Sequence, residues 1–196
     1  MNVNILLFND FETLDAFGPV EVLDHIEEYN LHYFSINGGI ITSKQGIKIK
    51  TEQLKEADPT GILLIPGGQG TRILVNDEEF IKELTSIAQQ SKYCLTVCTG
   101  SALIAKTNLL NGRKATSNKK AFYWVKSLNV SVEWISHARW VVDDKFYTSS
   151  GVSAGIDMVL GFIADKFGKE KAIQIAESIE YIWNCDRNND PFAKYD

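Results

Sequence analysis

The stretch Tyr93-Cys94-Leu95-Thr96-Val97-Cys98-Thr99-Gly100-Ser101-Ala102-Leu103-Ile104-Ala105 decides how the chain folds. An apolar, β-favouring run stops at a cysteine, three small residues follow, and a short helical pattern begins. That order, strand then tight turn then helix, is the context of a nucleophile elbow, which lifts a reactive side chain to the top of an α/β sheet. Cys98 is therefore a candidate nucleophile: the thiolate is the reactive form of cysteine, and a helix N-terminus is expected to lower the thiol pKa. The competing reading is a small buried hydrophobe, the usual fate of a free cysteine.

Outward from the elbow, residues 3–8, 31–36 and 62–65 are short apolar runs of the buried-strand type. Residues 19–28 carry helical spacing, with Pro19 expected in the first turn, where a missing N–H costs nothing. Further helices are expected at residues 77–90, 118–127, 152–167 and 169–178. Gly38-Gly39 reads as a turn leading to a hairpin of residues 40–41 with 46–50. Residues 130–135 are strand-like, and residues 139–142 and 145–148 form a second hairpin around Asp143-Asp144. Strands alternating with helices imply one mostly parallel sheet covered on both faces, a three-layer α/β sandwich. No repeat or linker divides the chain, so residues 1–196 are expected to form a single domain.

Bulk properties narrow the function classes. The net charge of -5 argues against a nucleic-acid or anionic-membrane surface. No apolar run approaches the roughly 20 residues that span a bilayer. Residues 1–8 lack the charged start and cleavage site of a signal peptide. Cys94, Cys98 and Cys185 make no even-numbered framework, which fits a reducing, cytoplasmic setting. No Cys/His spacing resembles a zinc site, so neither metal nor cofactor is expected. The expected partner is a small-molecule substrate.

In open parallel sheets ligands bind beyond the carboxyl ends of the strands. Three such ends carry suggestive residues: one leads to Asp15, one to Pro66-Gly67-Gly68, and one to Cys98. If these strands are neighbours, a carboxylate, a glycine-rich turn and a thiol converge. A nucleophile needs a proton partner, and developing negative charge needs backbone N–H donors. Each piece has a plainer alternative. Asp15 could cap the following helix, and Gly67-Gly68 could be only a turn needing positive φ. His25, His32 and His137 fall where none should border Cys98, so a Cys-His-Asp hydrolase has no evident base.

At larger scale the chain resembles the ThiJ/PfpI superfamily, which shares the class I glutamine amidotransferase-like fold, a flavodoxin-like sandwich. The likeness is carried by Leu14-Asp15-Ala-Phe-Gly18-Pro19-Val-Glu-Val22, Leu64-Ile-Pro66-Gly67-Gly68 and Val97-Cys98-Thr99-Gly100-Ser101. It continues through Gly112-Arg-Lys-Ala-Thr116, Thr148-Ser-Ser-Gly151-Val-Ser-Ala-Gly-Ile-Asp157, Ile179-Glu-Tyr-Ile-Trp183 and Asp190-Pro191-Phe192. Within the superfamily the pattern most resembles isonitrile hydratases and the amidotransferase-like domain of AraC-type regulators.

The resemblance implies roles by position. Cys98 would attack the substrate carbon, Asp15 would hydrogen-bond the cysteine and manage protons or water, and Thr99 would orient the substrate or the acid. Gly68, beside Gly67, would supply a backbone donor at the oxyanion site. The implied reaction adds water to R–N≡C, giving an N-substituted formamide through a Cys98 thioimidate. An acid beside a thiolate is expected to have a raised pKa. A histidine common in relatives is replaced here by Asn118, and the histidine that follows the cysteine in PfpI-type proteases is replaced by Thr99. The first departure weighs against hydrolase and glyoxalase chemistry, and the second against a protease. The alternatives left open are a non-catalytic ligand or redox sensor, and an amidase, protease, glyoxalase or deglycase. The resemblance also implies a homodimer, which is expected to cover aromatics such as Trp140 and Trp183.

Overall fold

The computed structural model describes residues 1–193. In chain order the elements are β1 (Asn2–Leu6), α1 (Thr13–Asp24), β2 (Asn30–Ser35), β3 (Gly39–Thr42), β4 (Lys48–Gln53), β5 (Ile62–Ile65), α2 (Thr71–Leu74) and α3 (Glu78–Gln90). They continue with β6 (Tyr93–Thr96), α4 (Gly100–Lys106), β7 (Lys114–Ala115), α5 (Phe122–Leu128), β8 (Glu133–Trp134), β9 (Trp140–Asp143), β10 (Phe146–Ser149), α6 (Ala154–Phe167) and α7 (Lys169–Ser178).

One eight-stranded sheet runs β3-β4-β2-β1-β5-β6-β10-β9. Its interior is parallel. β1 pairs with β2 on one side and β5 on the other, so Ile5 faces both Tyr33 and Leu64. β5 pairs with β6 and β6 with β10 in the same sense, while β3 and β9 close the two edges antiparallel. The continuous apolar sequence of β5 follows from this placement, because Ile62, Leu63, Leu64 and Ile65 are all buried. The chain reverses direction of travel at β1, stepping first to β2 and later to β5 and β6. The carboxyl ends of β1, β5 and β6 are thus neighbours at a topological switch point, where ligands bind in such sheets.

Two helical groups cover the sheet: α6 contacts α1 and α7, and α4 contacts α2, α3 and α5. Helix α3 shows how sequence makes the second group. Asp77 accepts the Phe80 N–H at 3.0 Å as its cap, and Phe80, Leu84, Ile87 and Ala88 fall on one buried stripe. Between α1 and α6, Gly18 permits close approach, since a Cβ there would lie 2.7 Å from Ile156 Cγ1.

Several expectations need correction. Helix α1 begins at Thr13, so Pro19 lies inside it and leaves the Asp15 carbonyl without its helical donor. Asp15 is accordingly a first-turn residue with no capping role. The strand expected at residues 130–135 shrinks to β8, which pairs with β7 apart from the main sheet. The helix expected at residues 118–127 opens with a 3-10 turn capped by Asn118, whose Oδ1 accepts the Ala121 N–H at 3.1 Å. Trp140 is already buried within the chain against Gly161, and the half-buried Trp183 donates its indole N–H to the Asp157 carbonyl, so neither is a free aromatic face.

Candidate functional site

Cys98 adopts φ +57, a left-handed conformation that a non-glycine residue holds only when its surroundings over-determine it. Those surroundings are specific. The Cys98 N–H donates to the Ser150 carbonyl at 3.0 Å. The Cys98 carbonyl accepts Ser117 Oγ at 2.9 Å and Ser101 Oγ at 3.1 Å. Close backbone contact completes the turn, since a Cβ at Gly100 would lie 2.5 Å from the Ile65 carbonyl oxygen. The elbow is therefore built from β6, the end of β5 and the loop after β10.

The convergence expected from the three strand ends is present. Asp15, fully buried, accepts the Gly67 N–H on Oδ2 at 3.0 Å and is in hydrogen-bonding contact with the Cys98 thiol. Its Oδ1 makes no well-aligned hydrogen bond among the described residues. A Cβ at Gly67 would fall 2.7 Å from Thr99 Oγ1 and 2.9 Å from Asp15 Oδ2, so only glycine lets those two side chains flank this turn. Gly68 carries φ +131 and bridges to Phe11, which ties the loop after β1 to the loop after β5.

The backbone donors of this turn are engaged. The Gly67 N–H binds Asp15, and the Gly68 N–H binds Thr99 Oγ1 at 3.1 Å. They hold the acid and the threonine in place instead of pointing unpaired at a substrate. Thr99 in turn supports the Cys98 sulfur through its amide and hydroxyl. Thr71, fully buried, donates to the Gly68 carbonyl at 2.7 Å and lies 3.1 Å from Thr99 Oγ1. Thr71, Ser117 and Ser150 were not legible as site residues. Ser150 does sit in the serine- and glycine-rich run before Gly151, the one local signal that could have drawn attention to it.

Burial raises the Asp15 carboxyl to about 7, with the Glu12 charge adding to the push and the Gly67 N–H opposing it. The direction is the expected one, but its cause is burial and not a neighbouring thiolate, since the Cys98 hydrogen bond acts to lower the carboxyl. The expected lowering of the thiol does not hold: burial pushes Cys98 up, and the Asp15 charge pushes it further. The helix that follows the elbow, α4, is only seven residues long, so its dipole offers little to oppose that push. The thiol is thus held protonated beside a carboxyl that is itself raised toward neutrality.

No histidine enters this arrangement among the described residues. His25 lies 4.0 Å from Glu21, His32 packs against Phe34, and the His137 carbonyl accepts from Asp190 N–H. Asn118 lies next to the elbow scaffold, since a Cβ at Gly151 would meet its Nδ2 at 2.2 Å. Among the described residues no group of three or more His, Cys, Asp or Glu side chains could hold a metal ion, and no helix is long and apolar enough to cross a membrane.

Comparison with known proteins accords with this geometry. Isonitrile hydratase of Pseudomonas putida is 28% identical over 183 residues, covering 92% of this chain and 78% of the relative. Deglycase PfpI of Pyrococcus furiosus is 28% identical over 155 residues, covering 76% of this chain and 89% of the relative. The HTH-type transcriptional regulator GbdR of Pseudomonas aeruginosa is 25% identical over 187 residues, and the chain spans about half its length (50%). A crystal structure of a THiJ/PfpI family protein from Pseudomonas syringae superposes with a TM-score of 0.81 at 25% identity, covering 97% of this chain and 77% of that one. The model of the DJ-1/PfpI family matches residues 1–165. With its elbow cysteine, buried acid and mostly parallel sheet, the chain belongs to the DJ-1/PfpI family.

Proposed function

We propose that the protein is a cysteine-dependent enzyme that hydrates isonitriles to N-substituted formamides. The observation that carries the reading is the buried pair of Cys98 and Asp15 with no imidazole beside it. Amide cleavage must protonate a departing amine, whereas hydration of R–N≡C has no leaving group beyond the enzyme's own thiol. One carboxyl poised near neutrality can serve every proton transfer in such a cycle.

The steps balance as follows. Asp15 takes the Cys98 proton, the sulfur adds to the terminal carbon, and Asp15 returns the proton to that carbon, giving the thioimidate R–N=CH–S–Cys98. Asp15 then accepts a proton from water as the oxygen adds to the same carbon, and passes that proton to nitrogen. Collapse of R–NH–CH(OH)–S–Cys98 breaks the C–S bond and releases R–NH–CHO, while Asp15 carries the hydroxyl proton to sulfur and restores the thiol. Thr99, held by Gly68 and Thr71, steadies the sulfur throughout. The similarity to isonitrile hydratase supports the choice of substrate class. Three free cysteines suit a reducing cytoplasm, and a second copy of the chain is the partner we expect.

The test is incubation with cyclohexyl isocyanide and detection of the formamide. We expect turnover by wild type and loss of at least about a thousandfold in both Cys98→Ala and Asp15→Ala. No turnover by wild type, or equal turnover by Cys98→Ala, defeats the proposal. Methylglyoxal conversion to lactate would instead indicate glyoxalase chemistry. Light scattering reads the oligomeric state.

A further inference from the structure

Behind the elbow, on the side away from Asp15, lies a second buried polar cluster that the reaction above does not use. Arg139 Nε donates to Asp157 Oδ2 at 2.6 Å, its second amino group lies 2.5 Å from the same oxygen, and its third nitrogen lies 3.8 Å from Asp190. Both acids and the arginine are buried. Lys119 completes the group: it feels the Asp190 and Arg139 charges, and its Nζ donates to Thr116 Oγ1 at 2.9 Å and to the Ala138 carbonyl. Two cations and two anions balance.

The tail after α7 is bolted to this cluster. Asp157 Oδ1 accepts the Tyr181 hydroxyl at 3.2 Å and the Asn184 N–H at 2.9 Å. The Arg139 N–H donates to the Arg187 carbonyl at 2.8 Å, and the Asp190 N–H to the His137 carbonyl at 2.8 Å. Buried ion pairs are weak sources of net stability, because desolvation offsets their attraction, but they impose one geometry. The question is what that geometry serves.

Two short routes lead from the cluster to the nucleophile. The Arg139 carbonyl accepts the Ser150 N–H at 2.8 Å, and the Ser150 carbonyl accepts the Cys98 N–H at 3.0 Å. On the other side, Lys119 binds Thr116, and the adjoining Ser117 donates to the Cys98 carbonyl at 2.9 Å. Both backbone groups of the strained cysteine are therefore held by residues that the cluster fixes.

We propose that Arg139, clamped by Asp157 and by the tail segment 181–190, is a positioning residue that holds Cys98 in its left-handed elbow conformation. The proposal rests on Cys98 being the reactive group, and it makes the tail part of the active-site machinery although no tail residue touches the thiol among the contacts described. Loosening the tail lets the Ser150 peptide shift, the elbow relax, and the thiol move away from Asp15 toward solvent. The charged groups facing Cys98 come from α1 and the residue before it, Asp15 with Glu12 behind it.

The test measures the pH dependence of Cys98 alkylation by iodoacetamide in the full chain carrying Cys185→Ser, with the modified residue assigned by peptide mass. Tyr181→Phe, Asp190→Asn and Arg139→Lys are compared with the parent, and melting is followed in parallel. Because burial and Asp15 hold the thiol up, we expect Cys98 alkylation at a fixed pH of about 8 to be about threefold or more faster in each variant, as the profile moves toward the ordinary cysteine value of about 8.5. Cyclohexyl isocyanide turnover is expected to fall about tenfold through kcat with KM little changed. Alkylation profiles that overlay the parent while melting temperature drops would show the tail to be an anchor only and overturn the proposal. Alkylation needs no isonitrile, so an incorrect substrate leaves this result readable.

Discussion

Asp15 and Asp157 are both fully buried, yet their surroundings make them different chemical objects. Asp157 receives an arginine, a tyrosine hydroxyl and a backbone N–H, and the guanidinium opposes the upward push of burial. Asp15 receives one backbone N–H and a thiol, has no cation beside it among the described residues, and is raised to about 7. Burial alone does not decide what a carboxyl does; the number and charge of its partners do. The fully partnered acid builds, and the under-partnered one is left able to exchange a proton.

The largest effect should come from breaking the partnered site. Arg139→Met leaves the Asp157 charge uncompensated and is expected to cost about 3–5 kcal/mol in denaturant unfolding. A loss below about 1 kcal/mol would mean the pair is not a buried ion pair in solution. Asp15→Asn should do the reverse. A carboxyl raised from 3.8 to about 7 favours folding fully below its unfolded pKa, and that contribution is lost as pH rises through 7. The variant should therefore be more stable than the parent by about 2–4 kcal/mol at pH 8, with the gain shrinking toward pH 4. An equal gain at both pH values would contradict the assignment.

How much of this could be read beforehand differs between the two acids. Asp15, Gly67, Gly68 and Cys98 each follow an apolar strand, so their convergence depends only on strand order, and apolar runs betray strands. The start of α1 leaves no mark in the sequence, because Glu12 offers no capping side-chain bond and Pro19 imitates a first-turn residue. The Arg139 cluster was illegible for another reason. Its members lie just before β9, on α6, in the turn before α5 and in the tail, and are joined by pairings at least 18 residues apart, with no period to mark them. Ser117 and Ser150 are hidden likewise, since a hydrogen bond to a distant backbone atom leaves no pattern in the chain.

Two smaller changes sharpen the contrast. Tyr181→Phe removes one donor from Asp157 and should cost about 1–2 kcal/mol by urea unfolding. Thr71→Val removes the hydroxyl between Gly68 and Thr99 and should cost about 1 kcal/mol, with a larger proportional loss of isonitrile turnover than of stability. If the two variants lose turnover and stability in the same proportion, the front and back of the elbow are energetically alike and the contrast fails.

The parallel order β1-β5-β6 also bears on how the protein comes to be active. Asp15 and its Gly67 donor stand 52 residues apart, and parallel neighbours cannot meet through a local turn. Such distant pairings pay their loop-closure entropy before they return any contact energy, so they are completed late. Until then the emerging chain carries an ordinary thiol at residue 98, with neither its acid nor its strained turn. On the proposed mechanism, the Cys98–Asp15 pair is therefore assembled only with the parallel core, and a chain stalled short of it carries at residue 98 the thiol of an ordinary cysteine peptide.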